Sequence, residues 1–135
     1  MYRTLSCVLF LIFSWHASAP DHKQKDLMLQ YYDAVNSFDA AGIESLFAEG
    51  AVINMMQEGK LVSMTPAQWG QMVLSFKGNK FSDTETERLY THDHGVQSSM
   101  AGAYALDFNG MKQTGIKVIT TMDGKITHMQ WHANP

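Results

Sequence analysis

The segment from Tyr31 to Met56 changes its hydrophobic periodicity, and this change constrains the fold more than any other feature of the chain. Apolar residues recur at helical spacing from Leu27 to Phe38, which predicts an amphipathic helix with one buried face. From Ala51 onward they alternate with a period of two, which is typical of a β-strand. The segment therefore predicts a helical layer that leads into the first strand of a sheet.

Two further helices have recognisable ends. Asp39 is expected to be the N-cap of a short second helix, because its carboxylate accepts from free amides at the positive end of the helix dipole. Gly50 is expected to end that helix in the left-handed conformation. The third helix should begin with a capping box, in which Thr65 is the N-cap, Pro66 takes the first helical position and Gln68 is the third residue.

The rest of the chain predicts strands joined by tight turns. Four strands are expected, at about Thr84–Thr91, Val96–Phe108, Met111–Met122 and Lys125–His132. Asn109-Gly110 and Asp123-Gly124 are strong hairpin signals, and Asp93-His94-Gly95 is expected to be a third turn. We therefore predict an α+β fold in which three N-terminal helices pack against a curved, mostly antiparallel sheet.

The N-terminal half also resembles a known superfamily. The positions that carry the resemblance are Tyr31, Asn36, Asp39, Gly42-Ile43, Leu46-Phe47-Ala48, Ala51 and Ile53. They are similar to the N-terminal signature of the nuclear-transport-factor-two-like superfamily, which includes ketosteroid isomerases and SnoaL-like polyketide cyclases. Glu58–Trp69 is similar to the lumazine-binding branch. The resemblance implies a cone-shaped half barrel with an internal pocket, but not a particular reaction, because this fold hosts many activities.

Residues 1–19 have the three-part pattern of an export signal. Arg3 precedes an apolar run from Leu5 to Phe13, and Ala17-Ser18-Ala19 supplies the small residues of a cleavage site. The run is shorter than the about 20 residues that a spanning helix needs. We expect a secreted or periplasmic domain of residues 20–135. Pro20 is unfavourable directly after a cleavage site, and an uncleaved anchor is the alternative.

Composition excludes several classes of function. Cys7 is the only cysteine and lies in the predicted signal, so the domain should have neither a disulfide nor a thiol nucleophile. The formal net charge is −3, and no basic patch is visible. This argues against a nucleic-acid partner, and against membrane binding once the signal is removed.

The resemblance permits a test of one mechanism. Ketosteroid isomerases use a carboxylate base with an oxyanion hole made by a tyrosine and a protonated aspartic acid. The resemblance to these enzymes places Tyr31 at the tyrosine position, Met55 at the base position and Val118 near the acid position. A thioether and an isopropyl group cannot transfer a proton, so we expect no catalytic residue of this kind. The alternative is a lyase, isomerase or cyclase whose acid–base pair comes from Tyr31, Tyr104, His128 or Asn54.

Histidine and methionine raise the question of a metal. His92 and His94 are interpreted as solvent-exposed turn residues, because no third ligand lies at metal spacing. Six methionines at positions expected to be buried are interpreted as adaptable packing or as the lining of an apolar cavity, namely Met55, Met56, Met72, Met100, Met122 and Met129. We therefore expect no metal and no cofactor. A copper-handling protein that uses methionine and histidine is the remaining alternative.

Ligand binding is the function that fits these patterns best. We expect an apolar pocket for a small hydrophobic or aromatic molecule, without a titrating catalytic pair. The resemblance and strand parity place its lining at Tyr31, Met55, Trp69, Met72, Tyr104, Val118, Met129 and Trp131. Ala101, Ala103 and Ala105 would give one strand a small, flat outer face, which favours a homodimer through sheet contact.

Overall fold

The computed structural model describes residues 26–135, so the predicted export signal lies outside the described residues. The elements in chain order are α1 (Leu27–Asn36), α2 (Ala40–Ser45), β1 (Phe47–Gln57), β2 (Lys60–Met64), α3 (Pro66–Ser75), β3 (Phe81–His94), β4 (Gln97–Phe108), β5 (Met111–Met122) and β6 (Lys125–Ala133). The predicted α+β class is confirmed. Within the described range, no helix has the length and apolar character needed to cross a membrane.

One sheet contains all six of these strands, in the order β2-β1-β6-β5-β4-β3. Neighbouring strands are antiparallel except β1 and β6, which run parallel. β6 is therefore an interior strand that joins the β1–β2 hairpin to the β3–β4–β5 meander. The sheet curves over the three helices, and the core lies between them.

The predicted helix starts are confirmed by their capping contacts. The Asp39 carboxylate accepts from the Gly42 amide at 2.9 Å. At the start of α3, the Gln68 amide donates to the Thr65 hydroxyl oxygen, and the Gln68 side chain accepts from the Thr65 amide. Such caps satisfy amides that have no partner within the helix, and each contributes about 1 kcal/mol.

Gly50 has a different role from the predicted one. α2 already ends at Ser45, and Gly50 lies inside β1 with a φ of 79°. The pairing of β1 with β6 changes register between Phe47 and Val52. The left-handed conformation of Gly50 therefore serves a bulge that bends β1, and the prediction of a helix end is wrong.

Two of the three predicted turns are confirmed. Both residues of Asn109-Gly110 and of Asp123-Gly124 have positive φ, as a two-residue type I′ hairpin requires. The predicted turn at Asp93-His94-Gly95 is wrong, because β3 continues to His94 and the chain turns at positions 95–96. His92 and His94 therefore lie on a strand, with one residue between them.

The core is built from the helix faces and the inner face of the sheet. Tyr31 and Val35 of α1 are fully buried against sheet residues that include Ile53, Ile119 and Met129. Burying an aliphatic side chain of this size contributes about 1.5–3 kcal/mol. This packing holds α1 against the middle of the sheet, and the candidate site is a cavity beside α3.

Candidate functional site

A cavity of about 280 Å³ lies between α3, the β1–β2 hairpin and the adjoining ends of β3, β4 and β5. Ten of its lining residues are apolar, namely Met55, Val62, Met64, Trp69, Met72, Phe76, Phe81, Leu106, Phe108 and Trp131. The remaining two are Gln57 and Gln113. The cavity is therefore an apolar chamber with two amide groups in its wall.

Aromatic contacts hold the cavity walls in place. The ring centroids of Trp69 and Trp131 are 5.2 Å apart in an edge-to-face arrangement. Phe76 lies 5.0 Å from Phe81 and 5.1 Å from Phe108. Because such pairs each contribute about 0.5–1.5 kcal/mol beyond simple burial, the chamber is a formed feature of the fold.

Gln113 is the polar group that the structure orients. The Tyr104 hydroxyl donates to its side-chain oxygen at 3.2 Å. No hydrogen bond occupies the Gln113 amide nitrogen within residues 26–135. A ligand in the cavity would therefore meet a hydrogen-bond donor at this position.

The predicted lining residues fall into three groups. Met55, Trp69, Met72 and Trp131 line the cavity. Tyr31, Tyr104 and Met129 are buried in the core behind it. Val118 lies on the other side of the sheet, half-buried.

Val118 was assigned to the wrong face of β5. The Asn109-Gly110 turn pairs Tyr104 with Gly115, and residues opposite each other in a sheet share one face. The side chain of Tyr104 points into the core, so positions 115 and 117 of β5 are on the inner face of the sheet. Val118 is therefore on the outer face. The hairpin signal and the predicted inward position of Tyr104 contain this information, and together they identify Lys117 as the inward residue.

Lys117 forms an ion pair with Asp83 in the interior, and both side chains are fully buried. The lysine amine donates to Oδ2 of Asp83. It also lies over four aromatic rings, at 4.0 Å from the ring centroid of Trp131, 4.4 Å from Tyr104, 4.5 Å from Tyr32 and 5.3 Å from Tyr31. Ring faces attract cations, so the cage replaces part of the hydration that Lys117 loses.

Burial dominates the titration of this pair. It lowers the pKa of Lys117 from 10.5 to about 8, although the neighbouring Asp83 carboxylate acts in the opposite direction. Burial likewise raises the pKa of Asp83, against the effect of Lys117. The second carboxylate oxygen of Asp83 is buried without a hydrogen-bond partner in the described part of the chain. The pair is therefore costly to bury and only partly compensated.

Trp131 separates the ion pair from the cavity. Its ring covers the Lys117 amine, and the same residue contributes to the cavity lining. Tyr104 is similarly shared, since its ring contacts Lys117 and its hydroxyl bonds Gln113. A titrating pair thus lies directly behind the cavity wall, although no such pair was expected from the sequence.

The other polar candidates are dispersed. Trp69 Nε1 donates to the Tyr31 hydroxyl at 2.9 Å, so Tyr31 is a hydrogen-bonded core residue. Burial raises the pKa of Tyr31 well above its usual value, so it stays protonated. Asn54 and His128 lie on the outer face of the sheet, opposite Met55 and Met129. The four residues considered for an acid–base pair therefore do not converge on one site.

No protein-family profile matches the sequence, and no curated protein sequence matches it significantly. Solved structures do match the fold. A conserved protein from Planctomyces limnophilus aligns with a TM-score of 0.66 at 9% identity, over 81% of this chain and 91% of that one. An NTF2-like protein of unknown function from Cytophaga hutchinsonii aligns with a TM-score of 0.59 at 14% identity, over 84% and 95%. An LEH-like epoxide hydrolase from Mycobacterium tuberculosis aligns with a TM-score of 0.58 at 11% identity, over 80% of each chain. The chain therefore has the nuclear-transport-factor-two-like fold that its N-terminal residues predicted.

Proposed function

We propose that this domain binds a small, mostly apolar molecule in the cavity between α3, the β1–β2 hairpin and the ends of β3, β4 and β5. The observation that carries the proposal is a formed chamber whose wall is apolar except for two glutamines. Ligand sites in proteins typically combine such a wall with a few placed polar groups. Binding would be driven by burial of apolar surface, at about 25 cal/mol per Å² before the entropic cost of association.

The size of the cavity limits the ligand. Its 280 Å³ lies just below the range of about 300–1,000 Å³ that is usual for ligand sites. A molecule with one or two rings fits this volume better than a four-ring sterol. Met55, Met64 and Met72 line the chamber and have flexible side chains, so they allow small adjustments in shape.

Gln113 favours a ligand with a hydrogen-bond acceptor. Its oxygen is engaged by Tyr104, so the amide nitrogen is the group that can bond a ligand. Leaving a donor buried without a partner costs about 1–3 kcal/mol. An aromatic ketone should therefore bind more tightly than the matched hydrocarbon. The fold match to an epoxide hydrolase supports a small organic ligand, since that protein is named for acting on one.

The test compares 2-acetylnaphthalene, which has a carbonyl acceptor, with 2-isopropenylnaphthalene, in which a methylene group replaces the carbonyl oxygen and the shape is kept. Binding to the full chain is measured by ligand-observed saturation-transfer NMR. We expect both to bind, with the ketone tighter by about tenfold, or 1.4 kcal/mol. Gln113→Leu should remove the preference and keep the binding of the hydrocarbon. Binding of neither compound would contradict the proposal.

Met55→Arg tests the location of binding. Met55 is 4% exposed and lines the cavity, so an arginine there would place an unpaired charge in the chamber. The matched control is Met122→Arg, because Met122 is 45% exposed at the β5–β6 turn. We expect loss of binding only in Met55→Arg, with circular dichroism showing that both variants fold. Equal binding in both folded variants would place the ligand elsewhere.

A second candidate function is catalysis, with the Asp83–Lys117 pair as its titrating centre. The observation that favours it is a buried amine whose pKa is lowered to about 8, since such groups are concentrated at functional sites. A lyase, isomerase or cyclase would need this amine to reach the ligand past Trp131. Turnover of a carbonyl compound that is lost in the double variant Asp83→Leu/Lys117→Met, with its fold retained by circular dichroism, but is kept in Gln113→Leu would favour the enzyme. Absence of turnover at any pH between 6 and 10 would favour binding alone.

We also propose that the domain is exported and forms a homodimer through the outer face of the sheet. The export pattern of residues 1–19 supports the first proposal. Small and half-exposed apolar residues on the outer face, including Ala103, Ile116 and Val118, support the second. Intact mass from a native host should show loss of residues 1–19, and light scattering should show a dimer that Ile116→Arg disrupts. Retention of Met1, or a monomer at micromolar concentration, would refute the respective proposal.

A further inference from the structure

His92 and His94 form a pair at the end of β3. The two residues are two positions apart on the strand, so their side chains lie on the same face. Their ring centroids are 5.2 Å apart, and Nδ1 of His92 lies 3.4 Å from Nε2 of His94. Both residues are exposed, so water or other small ligands can approach both nitrogens.

The distance between the two nitrogens is closer to the separation of two ligands of one metal ion than to the length of a direct hydrogen bond. An ordinary nitrogen hydrogen bond spans about 2.7–3.2 Å, so the contact is long for that interaction. A zinc ion binds imidazole nitrogens at about 2.0–2.1 Å with tetrahedral angles, which separates two such nitrogens by about 3.3–3.4 Å. The separation of the two nitrogens is therefore that of two ligands of one ion, and rotation of the exposed rings can direct both nitrogens toward it.

The surroundings of the pair are compatible with a cation. Asp93, between the two histidines, lies on the other face of the strand, where its carboxylate accepts from the Gly95 amide. The residues opposite on β4 are Ser99 for His92 and Gln97 for His94, and neither carries a charge. No group of three or more histidine and acidic ligands occurs within residues 26–135, so solvent would complete the coordination.

We propose that His92 and His94 chelate one divalent late transition-metal ion, such as Zn²⁺ or Cu²⁺, at the end of the β3–β4 hairpin. Imidazole suits these ions, and Cu²⁺ is expected to bind more tightly than Zn²⁺ by the Irving–Williams order. Mg²⁺ and Ca²⁺ should not compete, because they prefer oxygen ligands. The site lies on the outer face of the sheet and is independent of the cavity.

The experiment titrates the full chain with ZnCl₂ and CuCl₂ by calorimetry. His92→Ala and His94→Ala each remove one ligand, and His132→Ala is the matched control. His132 is exposed on β6, three strands from β3, or about 14 Å at the usual strand spacing. Even loss of an outer-shell partner weakens metal sites 10–100-fold, so each ligand substitution should weaken binding by at least about tenfold. His132→Ala should leave it unchanged.

Electron paramagnetic resonance of the Cu²⁺ complex provides an independent readout. Coupling to two nitrogens is expected in the native chain, and to one nitrogen in each single variant. Circular dichroism of the metal-free variants shows whether they fold, which is expected because both side chains are exposed. Failure of the native chain to bind either ion would overturn the proposal. Unchanged binding in the double variant His92→Ala/His94→Ala would also do so, since any ion would then be held elsewhere.

Discussion

Two regions of the interior, the cavity and the surroundings of Lys117, lie on either side of Trp131 and are both lined by aromatic residues. Around the cavity, aromatic rings line an apolar space. On the other side of Trp131, rings enclose a charged amine and leave no solvent exposure at either Lys117 or Asp83. One region therefore presents an apolar wall to a ligand, while the other surrounds a cation that belongs to the protein itself.

This difference separates a candidate ligand-binding region from a region that the side chains of the protein fill themselves. The cage around Lys117 holds a cation over Trp131, Tyr104 and Tyr32, with a carboxylate beside it. These are the features by which proteins bind ammonium ligands, and here the ligand is covalently part of β5. Substitutions in the cage should therefore affect stability, whereas substitutions at the cavity should affect binding.

The largest effect is expected for Lys117→Met, which removes one partner of the ion pair. Asp83 would then be a buried carboxylate without a counter-charge, which typically destabilises a protein by about 3–5 kcal/mol. Urea denaturation followed by circular dichroism measures this change.

The double variant Asp83→Leu/Lys117→Met is the control for that prediction. Replacing both partners of a buried pair by apolar residues is often neutral or stabilising, by up to about 4 kcal/mol. We expect the double variant to be at least as stable as the native chain. A double variant as unstable as Lys117→Met would show that the cage tolerates only a cation.

The pH dependence of stability should show the strain in the pair. Unfolded Lys117 keeps its proton up to its usual pKa of 10.5, whereas burial makes the folded chain release it near pH 8. The unfolded state binds more protons in this window, so stability from this group rises with pH between about 8 and 10.5. The raised pKa of Asp83 has the opposite effect at acid pH, where stability from that group falls as pH rises above 3.8.

These two effects predict a minimum near neutral pH in the stability of the native chain relative to the double variant Asp83→Leu/Lys117→Met. Measuring the difference is necessary because the tyrosines also titrate. Burial raises the pKa of Tyr104 to about 12. Above pH 10 the folded state therefore keeps a proton that the unfolded state loses, and stability falls there in both proteins. A difference that does not change between pH 7 and pH 10 would mean that Lys117 titrates normally.

The smallest effect on stability is expected at the cavity mouth. Met72 lines the cavity but is 42% exposed, so Met72→Ala should change the free energy of unfolding by about 0.5 kcal/mol or less. The same substitution widens the opening and should weaken binding of 2-acetylnaphthalene. A loss of stability comparable with that of Lys117→Met would remove the distinction between the two regions.

Local signals predicted the fold because they act over a few residues. The capping box at Thr65 and the Asn109-Gly110 turn each satisfy a local geometric requirement, and both are present. Gly50 was misassigned because a left-handed glycine suits a helix end and a bulge equally well. Only the pairing of β1 with β6 distinguishes the two, and that pairing joins distant parts of the chain.

The cavity was partly predictable and the ion pair was not predicted. Parity on β1 and the helical stripe of α3 placed Met55 and Trp69 facing the interior. The burial of Lys117 was not predicted, because a lysine in a strand is normally exposed. Its partner Asp83 lies on β3, and no sequence pattern links the two positions, so the compensation that makes burial tolerable is visible only in three dimensions.

The position of β6 has a consequence for how the chain acquires its structure. β6 lies between β1 and β5, and its pairing with β1 joins residues 47–56 to residues 126–132. Contacts between such distant positions raise the contact order of a domain and slow its folding. On the ribosome, the sheet cannot close until β6 has emerged, and the apolar faces of β1 and β5 are exposed to solvent until then. Such a chain passes through synthesis incompletely folded, which is the condition in which chaperones bind exposed apolar strands.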